Sequence, residues 1–165
     1  MNKNIFYLSI LLCVLLLSCH KYNEIGNNYK LESDSNSYTV LTDTSDIILI
    51  DGHILRIGFD SIYVIVKQKP EKLIYSEFSK NNPGYTYDEA ERAFYESTLT
   101  HYWIVNKQEP CIYSNDTINR LAKYSNVYGP FDNEEYLEKR IELGVHDSLK
   151  LGSNSHSRFK IPYIK

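Results

Sequence analysis

Two aliphatic runs flank an aspartate–glycine pair in Ile47-Ile48-Leu49-Ile50-Asp51-Gly52-His53-Ile54-Leu55-Arg56-Ile57. Asp-Gly between two apolar, β-branched runs is a strong hairpin signal, because a type I′ turn needs positive φ angles at both central residues. A second turn, Gly58-Phe59-Asp60-Ser61, leads into the apolar run Ile62-Tyr63-Val64-Ile65-Val66. We therefore predict an antiparallel meander of three strands over residues 46–68.

Further strand signals follow this meander. The segment Lys72–Phe78 is a candidate fourth strand, and Tyr102–Val105 and Val127-Tyr128 predict two more. Phe159–Ile164 is expected at a sheet edge, because Pro162 lacks the N–H that an inner strand requires. The segment Asn115–Tyr124 carries apolar residues at helical spacing and predicts a short helix.

Capping boxes mark the starts of two more helices. Thr86 is followed three residues later by Glu89, and Asp132 is followed in the same way by Glu135. We predict a helix over residues 87–98 and a helix after Asp132, which Gly144 ends as a left-handed C′ residue. The predicted fold is α+β: an antiparallel sheet, begun by the 46–68 meander, packed by about three helices.

The N-terminus has the form of a lipoprotein signal. An apolar run over residues 5–17 ends in Leu16-Leu17-Ser18-Cys19, which resembles a lipobox. A spanning helix needs about 20 apolar residues and a signal peptide about 7–15, so this run predicts a signal peptide. Residues 1–18 are then removed and Cys19 carries the lipid. We expect a polar tether over residues 19–35 and one domain over residues 36–165.

Composition narrows the function classes. Removal of 18 residues from the 165-residue chain leaves 147, enough for one domain with a real core. The net charge of −3 gives no basis for a nucleic-acid partner. Cys111 is the one thiol that remains after Cys19 is acylated, so no internal disulfide is expected. Fifteen tyrosines against one tryptophan favour contact surfaces rather than a purely apolar interior.

Several segments together resemble a family of small bacterial lipoproteins, domain of unknown function 3997 (DUF3997). The similar text is Ile57-Gly58-Phe59-Asp60, Tyr63-Val64-Ile65-Val66-Lys67-Gln68, His101-Tyr102-Trp103-Ile104-Val105, Val127-Tyr128-Gly129-Pro130-Phe131, Glu134-Glu135-Tyr136 and Lys139-Arg140-Ile141-Glu142-Leu143-Gly144-Val145. The resemblance covers most of residues 36–151 and implies this fold and a lipid anchor. It implies no activity, because the family is functionally uncharacterised. The chain departs from the family in a helix-sized insertion at about 107–125.

No constellation of residues predicts catalysis, a metal or a cofactor. None of the five histidines lies in an HExxH pattern or another paired ligand spacing, so we expect no metal site. Cys111 is a candidate nucleophile with a distant histidine. In the apolar context Pro110-Cys111-Ile112, however, a lone cysteine is more often a small buried hydrophobe.

Three triplets resemble the Asp-Ser/Thr-aliphatic acceptor of periplasmic O-glycosylation: Asp60-Ser61-Ile62, Asp116-Thr117-Ile118 and Asp147-Ser148-Leu149. Glycans on Ser61, Thr117 and Ser148 are one interpretation. The other is that aspartate with serine or threonine is common in turns and helix caps.

These observations favour a lipid-anchored envelope protein, at the outer membrane if the cell is Gram-negative, because His20 rather than aspartate follows the lipidated cysteine. We expect a non-enzymatic binding or assembly module, with membrane lipid and an envelope protein as its partners. The alternatives are an envelope hydrolase that uses Cys111 or a histidine, and an inhibitor of periplasmic enzymes. A cleft that gathers Cys111 with His101 or His146 would favour the enzyme, and an exposed aromatic sheet face would favour binding.

Overall fold

A computed structural model describes residues 23–25, 29–33, 39–116 and 121–153. In chain order the elements are β1 (Asn23–Glu24), β2 (Tyr29–Ser33), β3 (Thr39–Asp43), β4 (Ile48–Ile50), β5 (His53–Phe59), β6 (Tyr63–Lys69), α1 (Glu71–Asn81), α2 (Tyr87–Glu96), β7 (His101–Asn106), β8 (Tyr113–Asp116), β9 (Leu121–Tyr124), β10 (Val127–Phe131), α3 (Asn133–Glu142) and β11 (Gly152–Ser153).

The strands form two antiparallel sheets and a separate hairpin. The first sheet has the order β1-β2-β3-β4, the second has the order β10-β7-β6-β5-β11, and β8 pairs with β9. Within the described ranges, three helices accompany these sheets. The predicted α+β class with antiparallel pairing and about three helices is confirmed.

The second sheet is buried on both faces. Val64 and Val66 pack in one core with Leu41 and Ile50 of the first sheet. Ile65 of the same strand packs in a second core, which includes Tyr136 of α3. Because alternate residues of a strand point to opposite faces, the unbroken apolar run of β6 suits a middle layer. The domain therefore has three layers: sheet, sheet and helix.

The Asp-Gly hairpin prediction is wrong, whereas the second hairpin of the meander is confirmed. Strand β4 pairs with β3 in the first sheet, and β5 pairs with β6 in the second. Gly52 has a φ angle of 86°, but Asp51 does not have the positive φ of a type I′ turn. The pair instead carries the chain from the first sheet to the second.

Two other predicted elements have a different conformation. The predicted strand Lys72–Phe78 lies within α1, in which Ile74 is the buried residue. The predicted helix Asn115–Tyr124 is replaced by β8 and β9, with Tyr113 opposite Tyr124. The rings of these two tyrosines lie 5.6 Å apart, a cross-strand aromatic contact that favours the hairpin.

The folded domain begins earlier than residue 36. Strands β1 and β2 belong to the first sheet, and Ile25, Tyr29 and Leu31 are buried in its core. Polar residues separate Ile25, Tyr29 and Leu31 in the sequence, so these three buried residues do not form a recognisable apolar run. The signal peptide, Cys19, Thr117 and the predicted edge strand Phe159–Ile164 lie outside the described residues. None of the helices within the described ranges has the length and apolarity to span a bilayer.

Both capping boxes are confirmed. The Asp132 carboxylate accepts the N–H groups of Glu134 and Glu135 at 2.8 and 2.9 Å at the start of α3. At its end, Gly144 has a φ angle of 70°. The N–H of Val145 donates to the carbonyl of Arg140 at 2.9 Å, as in a Schellman motif.

Candidate interaction surface

A long connection joins two neighbouring strands of the second sheet. Gln68 of β6 lies opposite His101 of β7, yet residues 70–100 run between them and form α1 and α2. An antiparallel pair needs only a two-residue turn. A connection much longer than a turn often carries functional residues, because it lies on the surface of a rigid scaffold. We call α1, α2 and their loop the helical hairpin.

Phe94 of α2 attaches the helical hairpin to the sheet. Its side chain is 2% exposed and its ring lies 4.8 Å from His53 of β5. Lys69, the last residue of β6, places its ammonium 4.9 Å from the same ring and donates to the carbonyl of Tyr95 at 2.9 Å. Burial lowers the pKa of Lys69. These contacts fix the C-terminal end of α2 against the start of β5 and the end of β6.

The start of α2 is fixed by the predicted capping box. The carboxylate of Glu89 accepts the Thr86 N–H at 2.7 Å and the Thr86 hydroxyl at 2.9 Å. These two bonds lower the pKa of Glu89. The helix that follows buries Ala90 and Phe94 and exposes Tyr87 and Tyr95.

Three tyrosines beside Phe94 form what we call the tyrosine face: Tyr75, Tyr87 and Tyr95; the rings of Tyr75 and Tyr95 lie 5.7 and 5.5 Å from the Phe94 ring. Tyr87 and Tyr95 lie two helical turns apart on α2 and are 73% and 42% exposed. Tyr75 of α1 is close enough to interact electrostatically with both. Its own burial, and then Glu71 and Glu91, raise the pKa of Tyr75 to about 12. The face therefore combines aromatic rings with negative charge.

A groove between α1 and the end of α2 holds about 510 Å³. Its lining includes the apolar side chains of Ile74, Phe78, Ala93 and Leu99 and the carboxyl-bearing residues Glu77 and Glu96. We call it the helix groove. Phe78 also contacts the exposed Tyr85 ring at 5.5 Å. The hairpin thus presents apolar and aromatic surface beside carboxylates.

The structure does not bring Cys111 together with a histidine. Cys111 is exposed rather than buried as its apolar context suggested, and its electrostatic neighbours are Asp43, Tyr29 and Tyr124. His101 begins β7 whereas Cys111 follows its end, and that strand alone spans about 17 Å. Burial and Asp43 raise the pKa of the Cys111 thiol, which keeps it protonated near neutral pH.

His146 is also remote from Cys111. It follows α3, whose Tyr136 packs on the face of the second sheet that looks away from the first sheet. Its Nδ1 lies 2.7 Å from the hydroxyl of Ser148. In the described part of the chain, no three histidine, cysteine, aspartate or glutamate residues are grouped in a way that could hold a metal ion.

The candidate acceptors Ser61 and Ser148 are both exposed. Ser61 lies in the turn between β5 and β6, where the Asp60 carboxylate accepts the N–H groups of Ile62 and Tyr63, each at 2.7 Å. Asp60 therefore has a structural role in this turn whether or not Ser61 is modified. Sequence reasoning missed the tyrosine face, because Tyr75 was assigned to a strand. The i, i+4 spacing of Tyr87, Glu91 and Tyr95 was the available signal.

A family model described as a protein of unknown function, DUF3997, matches residues 26–155. The chain belongs to the DUF3997 family. The match includes β2 to β11, the helical hairpin and α3, and it confirms the resemblance found in the sequence. Neither a curated protein nor a solved structure matches the chain. The DUF3997 description names no activity, so function is argued from the geometry.

Proposed function

We propose that this protein is a lipid-anchored envelope protein that binds another envelope protein through its tyrosine face and catalyses no reaction. The carrying observation is the concentration of exposed aromatic rings on a hairpin that the sheet does not need. Tyr87 and Tyr95 of the tyrosine face, together with Tyr85 in the loop before α2, are three of the five exposed phenylalanine, tyrosine and tryptophan side chains in the described part of the chain. Tyrosine is enriched at protein interfaces and their hot spots, because it supplies large contact area with a polar end.

The lipid anchor rests on the sequence around Cys19. Two or more acyl chains hold a protein stably at a membrane, at about 0.8 kcal/mol per buried methylene. Cys19→Ala should move the protein from the membrane fraction to the soluble periplasmic or extracellular fraction, and the native N-terminal peptide should carry the lipid mass. An unmodified Cys19 in the native protein would contradict the anchor.

The enzyme alternative has less support than binding. A cysteine nucleophile needs a base within hydrogen-bond reach and a lowered pKa. Cys111 has a raised pKa, and His101 and His146 lie elsewhere. An inhibitor of periplasmic enzymes would be one particular kind of binding protein, so the identity of the partner decides between the two.

O-glycosylation of Ser61, Thr117 and Ser148 is a separate proposal. It is supported by the triplet pattern and by the exposure of Ser61 and Ser148. The intact mass should exceed that of the lipidated chain, and each Ser→Ala or Thr→Ala change should remove one increment. A mass explained by the lipid alone would overturn this proposal.

A cross-linking pull-down from intact cells tests the binding function. We would compare the native protein with Cys19→Ala, with the doubly substituted Tyr87→Ser/Tyr95→Ser protein and with Tyr113→Ser as a control. Tyr113 is 54% exposed but lies on β8, away from the helical hairpin. We expect one partner in near-equal amount, lost with the anchor or the tyrosine face and kept in the control. Equal recovery with Tyr87→Ser/Tyr95→Ser, or no partner beyond background, would contradict the proposal.

A further inference from the structure

We propose that the partner of the tyrosine face is a protein that resides in the same membrane as the lipid anchor, and that it is bound close to the membrane surface. This inference rests on the proposed function and names the class of partner. It is drawn from the direction in which the chain enters the first sheet, from the short distance between Cys19 and that sheet, and from the position of the helical hairpin.

The helical hairpin and the turn between β5 and β6 lie at opposite ends of the second sheet. At one end, which we call the hairpin end, Gln68 pairs with His101, and α1 and α2 lie between these two residues in the chain. At the other end, which we call the turn end, Asp60–Ile62 joins β5 to β6 and Tyr63 pairs with Asn106. Strand β6 has seven residues, so about 23 Å separate the two ends.

Strand β1 of the first sheet ends at the turn end. The ammonium of Lys107, just after β7, donates to the carbonyl of Ile25, just after β1, at 3.1 Å. The side-chain amide of Asn126 donates to the hydroxyl of Tyr29 in β2 at 2.8 Å, and the Asn126 carbonyl accepts the N–H of Asn106 at 2.9 Å. The connection from β1 to β2 therefore lies at the turn end, so the chain enters β1 from the direction of the hairpin end.

The start of β1 lies level with the start of the helical hairpin. Asn23 belongs to a row of paired residues that crosses the first sheet from β1 to Ile50 of β4. The next residue, Asp51, accepts a hydrogen bond from the side chain of Gln68 at the hairpin end, and its carboxylate pairs with Lys72 of α1. The chain that precedes β1 therefore approaches the domain on the same level as α1.

The lipidated residue lies close to this point. Four residue steps separate Cys19 from Asn23, where β1 begins. Because an extended chain advances at most about 3.6 Å per residue, the Cα atom of Cys19 lies within about 14 Å of that of Asn23. A lipid on Cys19 therefore holds the domain at the membrane surface with the hairpin end toward the bilayer. The tyrosine face is then presented near the height of the headgroups.

A protein suits the tyrosine face better than the lipid itself. Tyrosine rings do occur at the headgroup level of membranes. Peripheral binding to anionic lipid, however, depends on basic side chains, whereas residues 70–100 carry six acidic side chains and three basic ones. An anionic surface therefore repels the hairpin. A partner confined to the same membrane also gains effective concentration, so a small contact surface is sufficient for binding.

The orientation is tested with the mature, lipidated protein in phosphatidylethanolamine–phosphatidylglycerol vesicles that contain an acceptor-labelled lipid. In a Cys111→Ser background, a donor dye is attached after Thr98→Cys or after Gln108→Cys. Both positions are exposed and flank the same strand, β7, at the hairpin end and the turn end. We expect energy transfer to be about twofold or more as efficient from position 98, because the strand alone spans about 17 Å. Equal transfer, or stronger transfer from position 108, would overturn the proposal.

The same vesicles distinguish lipid from protein as the occupant of the tyrosine face. The unlipidated Cys19→Ala protein should not sediment with them. Sedimentation of this protein that disappears with Tyr87→Ser/Tyr95→Ser would overturn the proposal and make the lipid surface the ligand.

The location of the partner is tested in intact cells with two spacers inserted after Tyr22. A stiff helical spacer of about 40 residues would lift the domain by roughly 60 Å, whereas a glycine–serine spacer of equal length lets it return to the membrane. Cross-linked partner should fall by about tenfold or more with the stiff spacer relative to the flexible one, because the face no longer reaches the membrane surface. The partner should also stay in the membrane fraction after an alkaline wash.

Equal recovery with the two spacers, or release of the partner by the alkaline wash, would overturn this inference. If Tyr87→Ser/Tyr95→Ser still abolishes recovery in that case, the proposed function stands and its partner is a soluble envelope protein.

Discussion

Two connections of the second sheet differ sharply in length although each joins a pair of neighbouring antiparallel strands. The connection from β5 to β6 uses Asp60–Ile62, held by the Asp60 carboxylate. The connection from β6 to β7 uses residues 70–100 and two helices. Both join neighbouring antiparallel strands. The comparison teaches that the helical hairpin is not required for strand pairing, so its surface is free to serve another purpose.

The second sheet and the helical hairpin also bury apolar surface to different degrees. On β6 and β7, Val64, Ile65, Val66, Ile104 and Val105 are all 0% exposed. The helical hairpin buries Ile74, Ala90 and Phe94 and exposes most of its other side chains. Because burial of apolar area is the main stabilising contribution, the free energy of unfolding should depend chiefly on the sheet.

The largest expected effect is that of Ile104→Ala in the middle of the second sheet. Ile104 is fully buried in the core that includes Tyr136, so its truncation leaves a cavity between the sheet and α3. We expect a loss of about 2–5 kcal/mol in the free energy of unfolding, measured by urea denaturation. Ile74→Ala in the helical hairpin is the matched change, and a larger loss there would reverse the comparison.

Gly129→Ala should be nearly as severe. Gly129 has a φ angle of 135°, and an added Cβ would lie 2.6 Å from a ring carbon of Trp103 and 2.9 Å from the carbonyl oxygen of Tyr102. Backbone strain and overpacking together should cost about 2–4 kcal/mol, measured by the same denaturation.

Gly84→Ala in the helical hairpin is the control for this substitution. Gly84 also has a positive φ angle, 86°, but an added Cβ would meet no atom within 4 Å. Its cost should be limited to backbone strain of about 1–2 kcal/mol. Equal costs for the two alanines would show that packing against Trp103 is not the reason for Gly129.

The capping boxes provide a comparison between chemically similar sites. Asp132→Ala and Thr86→Ala each remove an N-cap, worth about 1 kcal/mol. Because Tyr136 of α3 stacks on Tyr102 at 4.8 Å, Asp132→Ala should lower the midpoint of global unfolding. Thr86→Ala should mainly speed hydrogen exchange within α2. The same shift of the global midpoint for both variants would mean that the hairpin and the sheet unfold as one unit.

The smallest expected effect is a pH dependence of stability that arises from His101, where the helical hairpin joins β7 of the second sheet. Burial lowers the pKa of His101 below its ordinary value of 6.5. Between these two pKa values the unfolded state binds more protons, so stability should fall as pH falls below 6.5 toward the folded-state pKa. Denaturation midpoints measured across this range should show a shallower slope for His101→Gln. An unchanged slope would show that His101 does not contribute to the pH dependence of stability.

Short sequence motifs correctly predicted the parts of this fold that depend on interactions between residues close in sequence. The capping boxes at Thr86 and Asp132 and the apolar run of β6 needed no distant partner. The Asp51-Gly52 turn was misassigned because β4 pairs with the strand before it, β3, in the first sheet, and not with β5. Strands β1 and β2 were assigned to the polar tether because only a few apolar residues, such as Ile25 and Leu31, lie among the polar ones. The tyrosine face could not be predicted whole, because it requires α1 and α2 to lie side by side.

Position-specific photo-crosslinking in intact cells tests the central claim most directly. A benzophenone side chain would replace Tyr87 on the helical hairpin, and in separate strains Tyr113 or Phe59, which are 54% and 51% exposed. The account predicts that one partner protein is captured from position 87 and not from 113 or 59. Capture of the same partner from all three positions, or from 113 or 59 but not from 87, would contradict it.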